Sequence, residues 1–335
     1  MDKTDKPESG PGKLLGISGS YWQTCTLHAA VKLDVFTAIG NDKMTYREAA
    51  GKLSLDPRAV GMLLNALCAM ALLEKVEGAY INTSESKKFL SKDSPGYIGY
   101  MIMHHHNLVE SWSRLDESVA SGRPVRTRSS FDDEEYRESF LMGMFNIAMG
   151  IAPQVAKIID LSGRKHLLDL GGGPGTYAIH FCKHNPELKA TVFDLPTTRP
   201  FAQKTIARFG MDDNITFFDG NYINDSIIGT FDVAWLSHIL HAENQDDCER
   251  IIQKTVLSLK PGGMIIIHDF ILENTKDGPL FPALFSLNML LGTSGGRSYS
   301  EQELVAMLAG AGAEQIHRSS FCGPTDSGII TGILP

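Results

Sequence analysis

The sequence predicts a two-part α/β chain: a mainly helical N-terminal unit of winged-helix type, then a Rossmann-like, mostly parallel sheet with helices. Three observations carry this expectation. From Lys165 onward, short β-rich runs alternate with helical stretches, the pattern of βα units. A glycine-rich turn, Gly171 to Gly175, follows directly on one of those runs. Between Leu14 and Ile81 the order reads helix, helix, helix and hairpin.

In the N-terminal part, residues 1–12 are polar and rich in Pro and Gly, and are expected to form a mobile tail. Helical apolar spacing runs from Leu14 to Ile39 and stops at Gly40. Thr45 and Glu48 stand three apart as a capping box opening a short helix to Leu53. Asp56 and Pro57 read as N-cap and first residue of the next helix, whose Val60, Leu63, Leu64, Leu67 and Ala71 keep helical spacing. Leu73 to Ile81, interrupted at Glu77 and Gly78, reads as a hairpin. Residues 100–160 read as mostly helical, with a break at 122–124. Strands are expected at His166–Leu170, Ala190–Asp194, Ile215–Phe218, Phe231–Leu236 and Met264–Phe270, with a last one within Ile329–Leu334. The expected domains are 14–100 and 101–335, the second divided into a helical segment 101–160 and a sheet core 161–335.

Composition narrows the function classes. The 335 residues are 43% hydrophobic and 21% charged, enough for a core without disulfide staples. A formal charge of −8 argues against broad binding to nucleic acid or anionic membrane. The helix Pro57–Met70 would be the one to enter a DNA groove, yet Arg58 is its single charged residue. So apolar a helix is expected to pack against another subunit instead. The five cysteines are scattered without a C-x-x-C pair, which suggests neither a disulfide framework nor a thiolate metal site. No apolar leader or run of about 20 apolar residues is evident, and a cytoplasmic location is expected.

The strand ending at Leu170 runs into Gly171, Gly172, Gly173, Pro174 and Gly175. Glycines let the backbone turn sharply and approach a ligand, with a helix N-terminus behind. Asp194 ends the next strand, where a carboxylate can accept both hydroxyls of a ribose. A dinucleotide fingerprint would need glycine at 176, and Thr176 stands there. Asp169, the glycines, Asp194 and the turn Lys260-Pro261-Gly262-Gly263 together resemble class I S-adenosylmethionine-dependent methyltransferases. The alternative reading of the same sheet is an NAD site. The resemblance implies that Asp169 and Gly171–Gly173 pass the methionine moiety and that Asp194 and Leu195 hold the ribose.

The segment Phe231 to His241 followed by Asp247 and Cys248 is similar to the strand-four end of small-molecule O-methyltransferases. That family includes the plant caffeate and animal acetylserotonin enzymes, and it carries an N-terminal winged-helix dimerisation domain. The resemblance covers nearly the whole chain from about residue 14. It implies a homodimer that methylates a hydroxyl of a small aromatic or polyketide-like molecule; no metal is expected, since base and cofactor charge suffice, and the charge balance leads to no expected nucleic-acid or membrane partner. His241 matches the general base and Asp269 the acid that orients it. A base suits the chemistry, because a phenol of pKa ~10 is mostly neutral at pH 7. Gly220, Asn221 and Tyr222 match the adenine-contacting motif, and Ser237 stands where plant members often carry Lys. On the substrate side, Phe145, Asn146, Met149 and Met289 match or line the acceptor pocket, with Phe285 a further candidate.

Departures from the family pattern are as informative. His-Asp-Trp becomes His241-Ala242-Glu243, and the second acidic partner of the base is replaced by Ser298. His238 competes with His241 for the role of base. The run His104–His106 invites a metal reading, but three successive helical residues cannot all face one ion. Carbon methylation on a similar substrate is the enzyme alternative, and a winged-helix regulator sensing S-adenosylmethionine the non-enzyme one.

Overall fold

The computed structural model describes residues 10–127 and 134–335. The expected tail lies outside the described residues through position 9. The chain divides into two compact units, Met1–Asn107 and Leu108–Pro335.

The first unit contains α1 (Gly12–Gly19), α2 (Tyr21–Lys32), α3 (Val35–Ile39), β1 (Met44–Thr45), α4 (Tyr46–Leu53), α5 (Pro57–Ala69), β2 (Leu73–Val76), β3 (Ala79–Asn82) and α6 (Ser84–Phe89). The helical stretch expected over 14–39 is three helices, broken at Ser20 and at Asp34, which takes a left-handed φ of 60°. The capping box at Thr45 and Glu48 forms with both hydrogen bonds present, and Asp56 caps α5 by accepting from Ala59 N. Ala71 leaves the helix: it is exposed at φ 57°, and the chain turns there into the hairpin. Strand order β1-β3-β2 completes a winged helix. Its core gathers Phe36, Ile39, Leu64, Leu67, Leu73 and Tyr80. Buried Asn82 ties β3 to α3 by donating Nδ2 to Phe36 O at 2.8 Å and to Gly40 O at 2.9 Å.

After α7 (Gly99–Trp112) the second unit continues with α8 (Leu115–Ser121) and α9 (Glu134–Ile158). The sheet unit then runs β4 (His166–Leu170), α10 (Thr176–His184), β5 (Lys189–Asp194), α11 (Arg199–Arg208), β6 (Ile215–Asp219), β7 (Phe231–Ser237), α12 (Gln245–Leu257) and β8 (Leu259–Phe270). It closes with α13 (Leu280–Gly292), α14 (Glu301–Gly310), β9 (Glu314–Arg318) and β10 (Ser327–Ile333). Seven strands lie in the order β6-β5-β4-β7-β8-β10-β9. The first five are mutually parallel, and β10 is antiparallel to both its neighbours.

Alternation along each strand feeds two cores, one on each face of the sheet. Leu167, Val233 and Trp235 pack with Phe181 of α10 and Val155 of α9. Leu168, Leu170, Ala234 and Ile267 pack with Ile251 and Ile252 of α12. Among the described residues one stretch, Tyr136–Ile158 of α9, is long and apolar enough to cross a membrane by length and composition only. Its Ile151, Ala152, Val155 and Ala156 instead lie in the first of these cores, which accounts for the composition.

Two elements differ from expectation. β8 starts at Leu259, not Met264, because the Lys260–Gly263 turn is a bulge inside the strand: the β7–β8 register shifts between Phe231 and Val233. β9 went unanticipated because Glu314–Arg318 is polar and mostly exposed at the sheet edge, with no apolar alternation to mark it.

Gly220, just after β6, leaves no room for a side chain: a Cβ there would overlap the buried Phe193 ring. Gly220→Ala is expected to destabilise by about 1–3 kcal/mol in urea unfolding. Gly150→Ala, in the open on α9, should instead gain about 0.5–1 kcal/mol.

Candidate active site

The C-terminal ends of parallel strands β4, β5, β7 and β8 converge on one edge, where an open α/β sheet binds its ligands. The glycine turn sits at the end of β4. Gly171, Gly173 and Gly175 adopt φ of 65°, 54° and 77°, a region costly for residues bearing a Cβ. Close approach excludes larger residues too: a Cβ at Gly171 would lie 2.6 Å from Ile239, and one at Gly172 2.5 Å from the Asp169 carboxyl carbon. Asp194 closes the turn from β5, its Oδ2 accepting from Gly173 N at 2.8 Å and its Oδ1 from Leu195 N at 2.6 Å. The Tyr222 ring stands beside Gly171, 3.3 Å from where a Cβ would be.

Asp169 is 1% exposed. Burial pushes its carboxyl up to about 7, with Asp194 adding to the rise against the Ala178 N–H, which lowers it. Its Oδ1 is buried without a hydrogen-bond partner. A glycine cradle, a strand-end carboxylate and an orphaned carboxyl oxygen fit a cationic, ribose-bearing cofactor such as S-adenosylmethionine. Asn221 and Gly220 belong to the same edge. Asn221 Oδ1 accepts from Ile223 N at 2.9 Å, so one of its lone pairs is committed to the turn. Asp219, at the end of β6 beside this turn, is paired with Arg199 at 2.8 Å.

The second half of the site lies where β7 and β8 end. His241 Nδ1 and Asp269 Oδ1 are 2.6 Å apart, with the His241 side chain 10% and that of Asp269 5% exposed. Asp269 also accepts from Phe270 N through Oδ1 and from His241 N through Oδ2. Burial alone would raise the Asp269 carboxyl; the imidazoles of His241 and His238 outweigh it and hold the group well below the ordinary carboxylate range. A carboxylate on Nδ1 fixes the proton there and leaves the Nε2 lone pair outward. Phe285 meets the His241 ring edge-on at 4.7 Å between centroids, and Phe270 lies nearly parallel at 5.7 Å.

Neither departure from the family motif leaves this loop slack. Glu243 accepts from Tyr222 Oη at 3.1 Å through its carboxylate and from Tyr299 Oη at 2.8 Å through its carbonyl. Cys248 Sγ contacts Leu240 O at 3.1 Å. Gly296 passes so close that a Cβ would sit 2.5 Å from His241 O. Ser298 is fully buried, and its N–H donates to Ser286 Oγ.

Other candidates are placed as follows. Ser237 Oγ lies 3.0 Å from His268 Nδ1, whose Nε2 lies 3.0 Å from Ser327 Oγ. Burial keeps the His268 imidazole well below its ordinary value, hence neutral. Met289 is buried on α13, one turn beyond Phe285 and two beyond Phe281, so the three share a helix face. Phe145 is buried against Phe209, and Met149 Sδ lies 3.5 Å from His180 Nε2, contacts within the helical layer of α9–α11. Asn146, half-buried on α9, falls between them. In the first unit, His106 Nε2 lies 3.1 Å from Lys32 Nζ and its ring packs on His28. Burial, then His106 and His105, brings His28 down to about 4. Residues 104–106 enter no metal-ligand group among the described residues. Sequence reasoning missed Phe270 and Phe281, whose aromatic neighbourhood appears only when β8 and α13 come together. A separate groove of about 760 Å³ between α12 and α14, lined in part by Gln245, Glu249, Arg250 and Gln302, contains none of these residues.

Residues 113–314 match the O-methyltransferase domain family, and residues 15–92 the O-methyltransferase dimerisation domain family. Among curated relatives is the 3-hydroxy-5-methyl-1-naphthoate 3-O-methyltransferase of Streptomyces sahachiroi, 32% identical over 96% of this chain and 95% of that protein. Another is the tetracenomycin polyketide synthesis 8-O-methyltransferase TcmO of Streptomyces glaucescens, 30% identical over 94% and 95%. A solved structure of PigF with SAH, a protein known from a Serratia species, superposes with a TM-score of 0.89 at 25% identity, covering 97% of this chain and 99% of that one.

Asp169 carries a titration that can be read in stability. Its folded value, about 7, lies above the unfolded value of ~3.9. The unfolded chain therefore loses this proton first, and stability falls as pH rises from about 4 to about 7, then levels. Asp169→Asn should remove that decline, gaining on the parent across this window in urea unfolding followed against pH.

Proposed function

As a member of the S-adenosylmethionine-dependent O-methyltransferase family, this chain methylates a hydroxyl, and we propose that its acceptor is a flat, polyketide-like phenol deprotonated by His241. The observation that carries the reading is the buried 2.6 Å contact between His241 Nδ1 and Asp269 Oδ1. Relatives named for naphthoate and tetracenomycin substrates supply the acceptor class. Phe270, Phe281, Phe285 and Met289 offer it a flat, apolar wall on the His241 side.

Gly171–Gly175, Asp194 and the Gly220–Tyr222 turn would hold S-adenosylmethionine, which when bound would supply an electrophilic methyl group, its bond to the sulfonium breaking as the oxygen bond forms and S-adenosylhomocysteine leaving as the neutral thioether. His241 Nε2 accepts the acceptor's hydroxyl proton as oxygen attacks, and Asp269 stabilises the imidazolium that forms. The Phe270 and Phe285 rings pack on the imidazole and hold its orientation toward the acceptor. The two halves of the site are joined through Tyr222 and Glu243, so the cofactor turn and the base loop keep a fixed spacing. This chemistry uses no metal.

The first unit serves as the dimerisation element of a cytoplasmic homodimer in this reading. Leu14, Leu15, Ile17 and Trp22 of α1 and α2 are each at least 65% exposed, an apolar surface that a second copy would cover.

His241→Ala is expected to lower kcat/KM by about 10²–10⁴ on a hydroxynaphthoate acceptor while S-adenosylmethionine binding by calorimetry is retained. Asp194→Ala should instead weaken that binding by about 10–100-fold, the loss of a charged hydrogen-bond partner. Unchanged turnover in His241→Ala would overturn the base assignment. In sedimentation at micromolar concentration the chain should run at twice 36.7 kDa, and Trp22→Asp should shift it toward monomer.

A further inference from the structure

His238 has no part in the reaction just described, yet it is built into the site at some cost. It takes a left-handed φ of 56° at the end of β7, uncommon for a residue with a Cβ. That conformation turns its ring over Phe270, 4.4 Å away, and against His268, 4.5 Å away. Its Nδ1 is buried without a hydrogen-bond partner and faces Asp269 Oδ1 at 3.6 Å, beyond hydrogen-bond length. The same oxygen holds His241 Nδ1. His238, His241 and Asp269 thus each present one ligand atom within 4.8 Å of the other two, the single such group among the described residues.

Two imidazoles and a carboxylate at a cleft make the donor set of zinc, cobalt and ferrous centres, with further positions left for water. A tetrahedral ion about 2.0–2.1 Å from each ligand needs ligand atoms roughly 3.3 Å apart. The His238–Asp269 pair, at 3.6 Å, already stands near that spacing, and the His241–Asp269 pair, at 2.6 Å, must open by about 0.7 Å. The two imidazole nitrogens lie within 4.8 Å of one another and draw together on the ion. Outer contacts hold the carboxylate ligand: Phe270 N donates to Asp269 Oδ1 at 2.8 Å, and His241 N to Oδ2 at 3.3 Å. Harder ions such as Mg²⁺ favour all-oxygen ligands and are a poor match.

We propose that His238, His241 and Asp269 form an inhibitory site for a divalent cation of the zinc and cobalt class. The consequence for the base follows from proton bookkeeping. Neutral His241 carries its proton on Nδ1 and its lone pair on Nε2. An ion on Nδ1 displaces the proton there and binds the electron pair that the N–H bond leaves, and the released proton passes by way of water to Nε2, where it takes up the lone pair. The atom facing the acceptor becomes a donor and no longer accepts the hydroxyl proton. Binding stands on the ligand geometry; silencing rests on the reading of His241 as the base.

Titration of Co²⁺ into the metal-stripped full-length protein tests both parts, because a nitrogen–oxygen Co²⁺ centre of low coordination absorbs in the visible. The expected result is a band in the parent protein that His238→Asn and Asp269→Asn each abolish, with calorimetric S-adenosylmethionine binding reporting that both variants are folded. Zn²⁺ should displace Co²⁺ and inhibit turnover, reversibly with chelator, and His238→Asn should weaken that inhibition by about tenfold or more. No band in the parent, or one that both folded variants keep, overturns the site. A band lost in the variants together with turnover indifferent to Zn²⁺ overturns the silencing step and turns suspicion on the base assignment itself.

Discussion

Two parallel strands ending side by side determine nearly everything at the reaction end of this chain. Ser237 pairs with His268 across β7 and β8, and His238 N donates to His268 O at 2.8 Å. The residues leaving β7 are therefore delivered to the spot where β8 presents Asp269. The short contact between His241 and Asp269 is the product of that register. A slip by one residue would turn Asp269 to the opposite face of the sheet and leave the imidazole without an orienting carboxylate. Burial makes the pairing stringent, because a carboxylate so deep is tolerated only with partners for its charge.

The loop after His241 lacks the family's Asp-Trp, and the structure replaces it with a different set of restraints. Glu243 bridges to two tyrosines, Cys248 touches the Leu240 carbonyl, and Gly296 brings another turn against the His241 carbonyl. Three separate elements thus hold the backbone that carries His241. Tyr222, Gly296 and Tyr299, which supply most of these restraints, are distant from the loop in sequence. With Ser298 in the place of the family's second acidic partner, the imidazole keeps the Asp269 carboxylate as its direct partner.

The fold was largely legible because its signals are local. Alternating βα texture marks each parallel strand, the capping box at Thr45 and Glu48 forms as written, and turn residues Glu77 and Gly78 separate β2 from β3. The strand-end turn was legible for the same reason, since the glycines and the Asp194 carboxylate that closes on them lie within one βαβ unit. What escaped depended on distant neighbours. Edge strand β9 has no buried face to imprint a pattern. Phe270 and Phe281 read as ordinary apolar residues until β8 and α13 pack together. Phe145 and Met149 illustrate the converse: an apolar helix face gives the same spacing whether it meets α10 and α11 or a ligand.

The strand order of the sheet has a consequence for how the protein is made. β10 follows β9 in the chain but lies between β9 and β8, bonding to both. During synthesis, the edge of β8 carrying Ile265, Ile266 and Ile267 must wait unpaired while α13, α14 and β9 emerge. Such an edge is an open template for other chains. The interval before β10 arrives is thus the moment at which the nascent protein is most exposed to aggregation, and the stage at which a chaperone would have the most to protect.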